Sequence, residues 1–306
     1  MNMAEWLAGS SEGGTAAALD VALVGAPISR ASITPSQAWS TPAAFRRALS
    51  RFPTWHAEAG VDIAGLRAID VGDVEGDQAD SDAAAAHLRI EVATADAAGS
   101  AAVIAVIGGD NSLTRPAFLG VGWARRERQW GLLTLDAHHD CRPVTGGSVN
   151  GTPVRELIES GLPGERVAQV GIHPLGNARE HAAWAAAQGV HVHGLVEVRA
   201  RGVAAVLGDA VAELRAAGAD AIYVDLDLDV VDQAAAPACP ASLPGGLPAH
   251  DLLGAALMLG AQPGVGAVDL CEVDALADVA GITVRLMAAA FTAFCAGVAQ
   301  RSPRPR

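Results

Sequence analysis

Basic runs and aromatic side chains are both scarce in this sequence. Phe, Trp and Tyr make up 4% of its 306 residues, and 21 Lys and Arg stand against 34 Asp and Glu, a net charge of −13. A nucleic-acid partner calls for a basic footprint that neutralises phosphates, so none is expected. Much of the acidic excess reads as solvated surface. Cysteine is sparse too: Cys141, Cys239, Cys271 and Cys295 are widely spaced and form no CxxC pair. That argues for reduced thiols over a disulfide framework or a zinc site. The stretch "MNMAEWLAGSSEGG" lacks a basic segment followed by an apolar core, so no secretion signal is expected. No stretch reads as apolar enough to span a bilayer without interruption. These absences predict a cytoplasmic protein with no membrane partner.

Apolar residues, by contrast, are plentiful. At 51% hydrophobic the chain can bury a large core. No linker or repeat period divides it. Residues 1–306 are expected to form a single domain, with 1–18 and 299–306, the latter ending in "RSPRPR", as flexible tails. β-Branched runs at 20–28, 66–74, 101–109, 130–138, 166–173, 190–198, 220–230 and 265–273 alternate with alanine-rich stretches at 81–98, 112–126, 152–160, 177–188, 199–217, 249–260 and 280–298. Near-continuous apolar strands alternating with helices predict an α/β fold: three layers, α/β/α, around a mostly parallel eight-stranded sheet. In such sheets ligands bind at the carboxyl ends of strands.

Polar clusters follow four of these runs. "IGGDNSLT" (107–114) combines a glycine pair that permits a tight turn with Asn111 and Ser112, which can cap a helix. By itself it reads as a structural turn. "TLDAHHDCRP" (134–143) sets four possible metal ligands in five positions. In an extended chain Asp136, His138 and Asp140 converge, while His139 points elsewhere. Hard oxygen with imidazole suits manganese, and also zinc, nickel or iron; a hydrogen-bonded loop is the alternative. "YVDLDLDVVDQAAAP" (223–237) puts Asp225, Asp227 and Asp229 on one strand face, where like charges need raised pKa values or a cation. "VDLCEVDALAD" (268–278) places Glu272 after the last run, where it reads equally as a loop acid. Together the clusters imply a dinuclear site with bridging carboxylates, suited to making hydroxide at neutral pH.

From about residue 20 to 298 the chain resembles the ureohydrolase family, which includes arginase, agmatinase and formimidoylglutamase. The ordered set "GGDNS", "DAHHD", "NGTP", "DLDVVD" and "EVD" carries the resemblance. Within the family, "GGDNS" in place of GGDHS, the doubled histidine, and "NGTP" in place of HGTP or HGQP are most similar to the bacterial formimidoylglutamases of histidine breakdown. The resemblance implies an arginase-like fold, a homo-oligomer and two Mn2+ per chain, with other divalent transition metals left open. It implies that Asp136 and Asp227 bridge the metals. His138 and Asp229 would complete one; Asp140 would complete the other with Asn111, where most relatives have histidine, the amide either ligating through its oxygen or holding a metal-bound water. The family pattern D-x-D-x-x-D fits only Asp227, Asp229 and Asp232, leaving Asp225 outside it. Glu272 matches the acid that orients the substrate's cationic amidine carbon. Asn150 stands where arginase has its proton-shuttling histidine, so His139 or water would serve instead. Asp140 would protonate the leaving amine.

The implied reaction converts N-formimidoyl-L-glutamate and water to L-glutamate and formamide. Arginine pairs bidentately with carboxylates, and Arg142, Arg155 and Arg30 follow strand ends. With Ser148, Asn150 and Thr152 they are the expected substrate contacts. The loop "GIHPLGN" (171–177) carries no acid where arginase binds an α-ammonium. His56, His87, His181, His191, His193 and His250 read as surface or core residues. Two rival readings stand: a ureohydrolase releasing urea from a guanidino compound (agmatinase, guanidinobutyrase or arginase type), and a metal-poor relative acting by binding.

Overall fold

The apolar runs pair side by side, as burial on both faces requires. The computed structural model describes residues 1–9 and 19–301. Its strands are β1 (Leu19–Ala26), β2 (Trp55–His56), β3 (Val61–Asp62), β4 (Ala68–Asp73), β5 (Ala101–Gly108), β6 (Trp130–Leu135), β7 (Val167–Ile172), β8 (His191–Gly194), β9 (Ala221–Asp227) and β10 (Val265–Cys271). Its α-helices are α1 (Met3–Gly9), α2 (Thr41–Leu49), α3 (Ala84–Ala98), α4 (Thr114–Ala124), α5 (Pro153–Glu159), α6 (Arg179–Ala187), α7 (Leu195–Arg201), α8 (Val203–Ala216), α9 (Ala249–Ala261) and α10 (Ile282–Gln300). Beyond a small antiparallel β2–β3 pair, eight strands form one sheet in the order β4-β1-β5-β10-β9-β6-β7-β8. Every pairing in it is parallel.

Strands β6, β7 and β9 are buried along their whole length. One apolar layer, with Phe45, Leu207, Leu252 and Phe291, lies under α2, α8, α9 and α10. The other, with Ile90, Ala117, Leu157 and Tyr223, lies on the opposite face under α3, α4 and α5. The sheet is therefore sandwiched in three layers, as the strand–helix alternation predicts.

Three expectations need correction. Helix α10 is 19 residues long and apolar enough to cross a membrane. Its apolarity serves the core instead: 72% of it is buried, and Phe291 meets Phe45 edge-on, ring centroids 5.4 Å apart. The run 190–198 is not one strand. β8 stops at Gly194, and Leu195 and Val198 are buried at the i, i+3 spacing of helix α7. Residues 3–9 are no flexible tail: Met3, Trp6 and Leu7 are buried on one helical face. Asn2 and Glu5 cap that helix reciprocally, each side chain accepting the other's backbone N–H at 2.9 Å. At the other end α10 runs to Gln300, and Arg301 Nε donates to Gly260 O at 2.6 Å. The rest of the expected tails, residues 10–18 and 302–306, falls outside the described residues.

The sheet order sets the site. β5, β10, β9 and β6 are consecutive neighbours, and each is followed by one of the polar clusters. Four segments far apart in sequence thus converge on one sheet edge.

Candidate metal centre

Asp136 and Asp227 end β6 and β9 in the same way. Asp136 Oδ1 accepts the backbone N–H of His138 at 2.6 Å, and Asp227 Oδ1 accepts that of Asp229 at 2.8 Å. This aspartate turn closes the strand and swings residue i+2 in beside the aspartate. His138 Nδ1 lies 2.8 Å from Asp229 Oδ2 and 3.5 Å from Asp136 Oδ1. The backbone N–H of Ala137 donates to Asp229 Oδ1 at 3.2 Å, tying the two turns together. Asp136, His138 and Asp229 offer ligand atoms within 4.8 Å of one another.

Asp140 and Glu272 enter the site from backbones in the left-handed region, at φ 50° and 60°. Non-glycine residues pay strain there, and such strain clusters at functional sites. The Glu272 N–H donates to Gly109 O at 2.9 Å. At Gly109 a Cβ would lie 2.0 Å from Ile28 O, so only glycine lets this turn pack down. Glu272 Oε1 accepts from the Asn111 backbone N–H at 2.7 Å and from Asn150 Nδ2 at 3.0 Å. Asn111 Nδ2 donates to Asp140 Oδ2 at 2.5 Å. Asn111 thus stands against Asp140, the residue expected on the same side of the centre.

Burial dominates the electrostatics. It raises Asp136 to about 6 and Glu272 to about 8. It also drives Asp140 and Asp227 upward, with Asp136 and Asp229 adding repulsion. His138 is raised as well, for another reason: burial opposes its charge, but Asp229 and Asp136 outweigh it and raise its pKa to about 12. Asp136 Oδ2 and Glu272 Oε2 are buried with no hydrogen-bond partner among the described residues. Orphaned carboxylate oxygens among crowded acids, with one imidazole, are a donor set that suits a hard divalent cation.

A cavity of about 240 Å³ opens over this floor. His138, Asp140, Asp227, Asp229 and Glu272 line it, with Asn150, Arg142, Ile33 and Thr34 on the walls. Arg142 makes no ion pair with a carboxylate among the described residues. Asp225 is absent from the lining. It sits one layer deeper, in register with Asp269, which accepts from Tyr223 Oη at 2.8 Å.

Seven expected site residues are absent from the cavity lining: Asn111 and Asp136, which bond to its lining residues Asp140 and His138, and five that are held elsewhere. His139 is buried and turned away, with Nδ1 2.7 Å from Gln169 Oε1; it is one position out of step with the converging face. Thr152 Oγ1 is held by its own turn and by Glu156 Oε1 at 2.5 Å. Ser148 Oγ is buried outside the lining. Arg155 pairs with Glu159 at 2.7 Å and stacks over Trp184 at 4.7 Å. Arg30 is claimed by the carbonyls of Asp77 and Gln78, both at 3.1 Å.

Among the lining residues that escaped sequence reasoning are His181 and Asn177. Asn177 accepts from the His139 N–H at 2.8 Å and donates to Ala137 O at 2.9 Å, bracing the aspartate turn from below. Neither falls in a ligand spacing; the only hint is the asparagine closing "GIHPLGN". At Gly176 a Cβ would meet Ala137 O at 3.1 Å, so this loop must lie close to that turn.

The Arginase family model matches residues 19–296. A formimidoylglutamase of Halalkalibacterium halodurans is 37% identical over 270 residues, spanning 87% of this chain and 83% of that relative. The crystal structure of formimidoylglutamase from Bacillus subtilis superposes with a TM-score of 0.87 at 28% identity, over 94% of this chain and 89% of that one. The structure of Trypanosoma cruzi formiminoglutamase with Mn2+ superposes with a TM-score of 0.89 at 24% identity over 99% of both chains, a likeness of fold.

Proposed function

The chain belongs to the arginase family, and from that premise we propose that it hydrolyses N-formimidoyl-L-glutamate to L-glutamate and formamide. The observation that carries this reading is the composition of one cavity, with five metal- or amidine-binding side chains on its floor and an unpaired guanidinium, Arg142, on its wall. Amidine and carboxylate ends of one substrate match those two parts. Relatives that carry formimidoylglutamase names support the same choice.

Asp136 and Asp227 would bridge two cations, with His138 and Asp229 completing one and Asp140 the other. Oxygen-rich donors with a single imidazole favour Mn2+ over softer ions. When bound, the metal pair supplies a nucleophile at neutral pH and neutralises developing charge. Glu272 holds the amidinium N–H groups through its unpartnered Oε2, while Asn111 and Asn150 fix Oε1. Arg142 binds a substrate carboxylate and sets the amidine carbon over the floor. Asp140, steadied by Asn111, carries the proton to the departing amine. Water adds to the amidine carbon, the carbon–nitrogen bond to glutamate breaks, and formamide leaves.

We place the enzyme in the cytoplasm, in keeping with four free, buried cysteines. We also infer a homo-oligomer, supported by apolar side chains left outside, Leu276 at 60% and Val279 at 65% exposure. The test of function is product identification. Mn2+-loaded protein should give formamide and glutamate from formimidoylglutamate; urea from arginine, agmatine or guanidinobutyrate at a higher kcat/KM would replace this reading.

A further inference from the structure

Strand β8, "HVHG", carries two histidines that the metal centre does not use. His191 and His193 stand two positions apart, on one face of the strand. β8 ends the sheet and pairs with β7 alone. Glu213, on α8, meets that face: its Oε2 lies 2.9 Å from His193 Nε2 and 3.8 Å from His191 Nδ1. Two imidazole nitrogens on separate residues thus converge on one carboxylate oxygen.

The other nitrogen of each ring is engaged from outside. His193 Nδ1 lies 3.2 Å from Glu197 Oε2, and His191 Nε2 lies 3.1 Å from the Glu165 carbonyl oxygen. With a proton on each outer nitrogen, the inner nitrogens present lone pairs toward Glu213. Metal-binding histidines are held in this way, the ring N–H away from the ion donating to a carboxylate or a backbone carbonyl. An ion pair between His193 and Glu213 accounts for one ring only, since His191 Nδ1 is too far from Glu213 for a hydrogen bond. The local charge suits a cation as well. Arg201 pairs with Glu197 and Asp209, which leaves Glu213 to the two histidines.

We propose that His191 Nδ1, His193 Nε2 and a Glu213 oxygen form a Zn2+ site, separate from the metal centre, that fastens the edge strand β8 to α8. Two imidazoles with one carboxylate are borderline donors, better matched to zinc than to the hard ions that favour oxygen. Water fills the fourth position. The His191 and Glu213 side chains are 31% and 35% exposed and free to swing onto an ion, while His193, at 10%, is the fixed member. The site does not depend on which substrate the cavity takes.

The test is equilibrium dialysis of the Mn2+-loaded protein against Zn2+, with both ions counted by elemental analysis. Wild type should gain one Zn2+ per chain, with a Kd on the order of 1 µM, and keep its Mn2+. The double variant His191→Gln/His193→Gln should lose that Zn2+ and keep its Mn2+ and turnover. Glu197→Gln, which removes only the carboxylate behind His193, should weaken Zn2+ ~10- to 100-fold. Glu213→Gln, which removes a ligand at a part-exposed helix position, should weaken it at least as much. Zn2+ should raise the Tm of wild type and not that of the double variant. Equal Zn2+ uptake by wild type and double variant, or uptake only as Mn2+ is displaced, would put the ion in the metal centre and overturn the proposal. No uptake by wild type at about 0.1 mM Zn2+ overturns it too.

Discussion

Asn150 Nδ2 donates to Glu272 Oε1 at 3.0 Å. The position where the family resemblance puts a proton-shuttling histidine thus holds an amide, which has no exchangeable charge to pass. Its oxygen is engaged as well, accepting the Ile33 N–H at 3.0 Å. Asn150 pins the loop after β1 to Glu272, the acid proposed to hold the substrate's amidine. Asn150→Ala should lower kcat/KM by about 10-fold or more through a misplaced Glu272, since a lost hydrogen bond to a charged group costs about 1.5–3 kcal/mol. Its pH–rate profile should keep the wild-type shape. Loss of one limb of that profile would make Asn150 part of the proton path and contradict a holding role.

On the proposed function, Arg142 would carry the choice of an acidic substrate. Its guanidinium lines the cavity, and the neighbouring Arg155 is held elsewhere by Glu159 and Trp184. Arg142→Ala should raise KM for formimidoylglutamate roughly 10- to 100-fold, the scale of a charge-assisted hydrogen bond. Arg155→Ala should leave KM within about 2-fold. Unchanged kinetics in Arg142→Ala would remove it from the substrate site.

The metal-free centre traps protons, and this sets a pH dependence. Glu272 is raised by burial to about 8, so it stays protonated in the folded chain where the unfolded chain has ionised. His138, raised to about 12, keeps its proton in the folded chain above the pH where an unfolded histidine loses it, about 6.5. Both groups bind more protons folded than unfolded, so both make stability fall as pH rises. Histidines with lowered pKa values, His87 and His139, act at more acidic pH and do not oppose this. The Tm of metal-free protein should therefore drop from about pH 7 to about pH 9, and drop less in Glu272→Gln. Mn2+ binds the deprotonated ligands and should rescue Tm more at the alkaline end. A flat or rising metal-free Tm over that interval would contradict the burial argument.

The sheet and its floor residues were legible because each follows from local spacing. Apolar runs of strand length specify strands, and Asp136 with His138 after Leu135, like Asp227 with Asp229 after Leu226, must leave the strand on one side. What spacing cannot give is which partner captures a long side chain. Arg30 and Arg155 follow strand ends as Arg142 does, yet carbonyls at 77–78 and the Glu159–Trp184 pair hold them off the cavity. His139 was misjudged against its own parity, which buries it on Gln169. His181 and Asn177 reach the cavity only because β7 pairs beside β6, a neighbourhood created by the sheet order. The split of 190–198 into β8 and α7 turns on burial of Leu195 and Val198, which a strand pattern and a helix pattern can both accommodate over so few residues.

The most direct measurement titrates Mn2+ into metal-free protein and follows bound ions, formamide and glutamate together. The account predicts two ions per chain, the second bound more weakly, with formamide and glutamate formed in equal amounts as that second site fills. Asp227→Ala, which on this account would remove a ligand from both ions, should abolish turnover and most binding while keeping an α/β circular dichroism spectrum. Full turnover without metal, or two ions and normal turnover in Asp227→Ala, would contradict it.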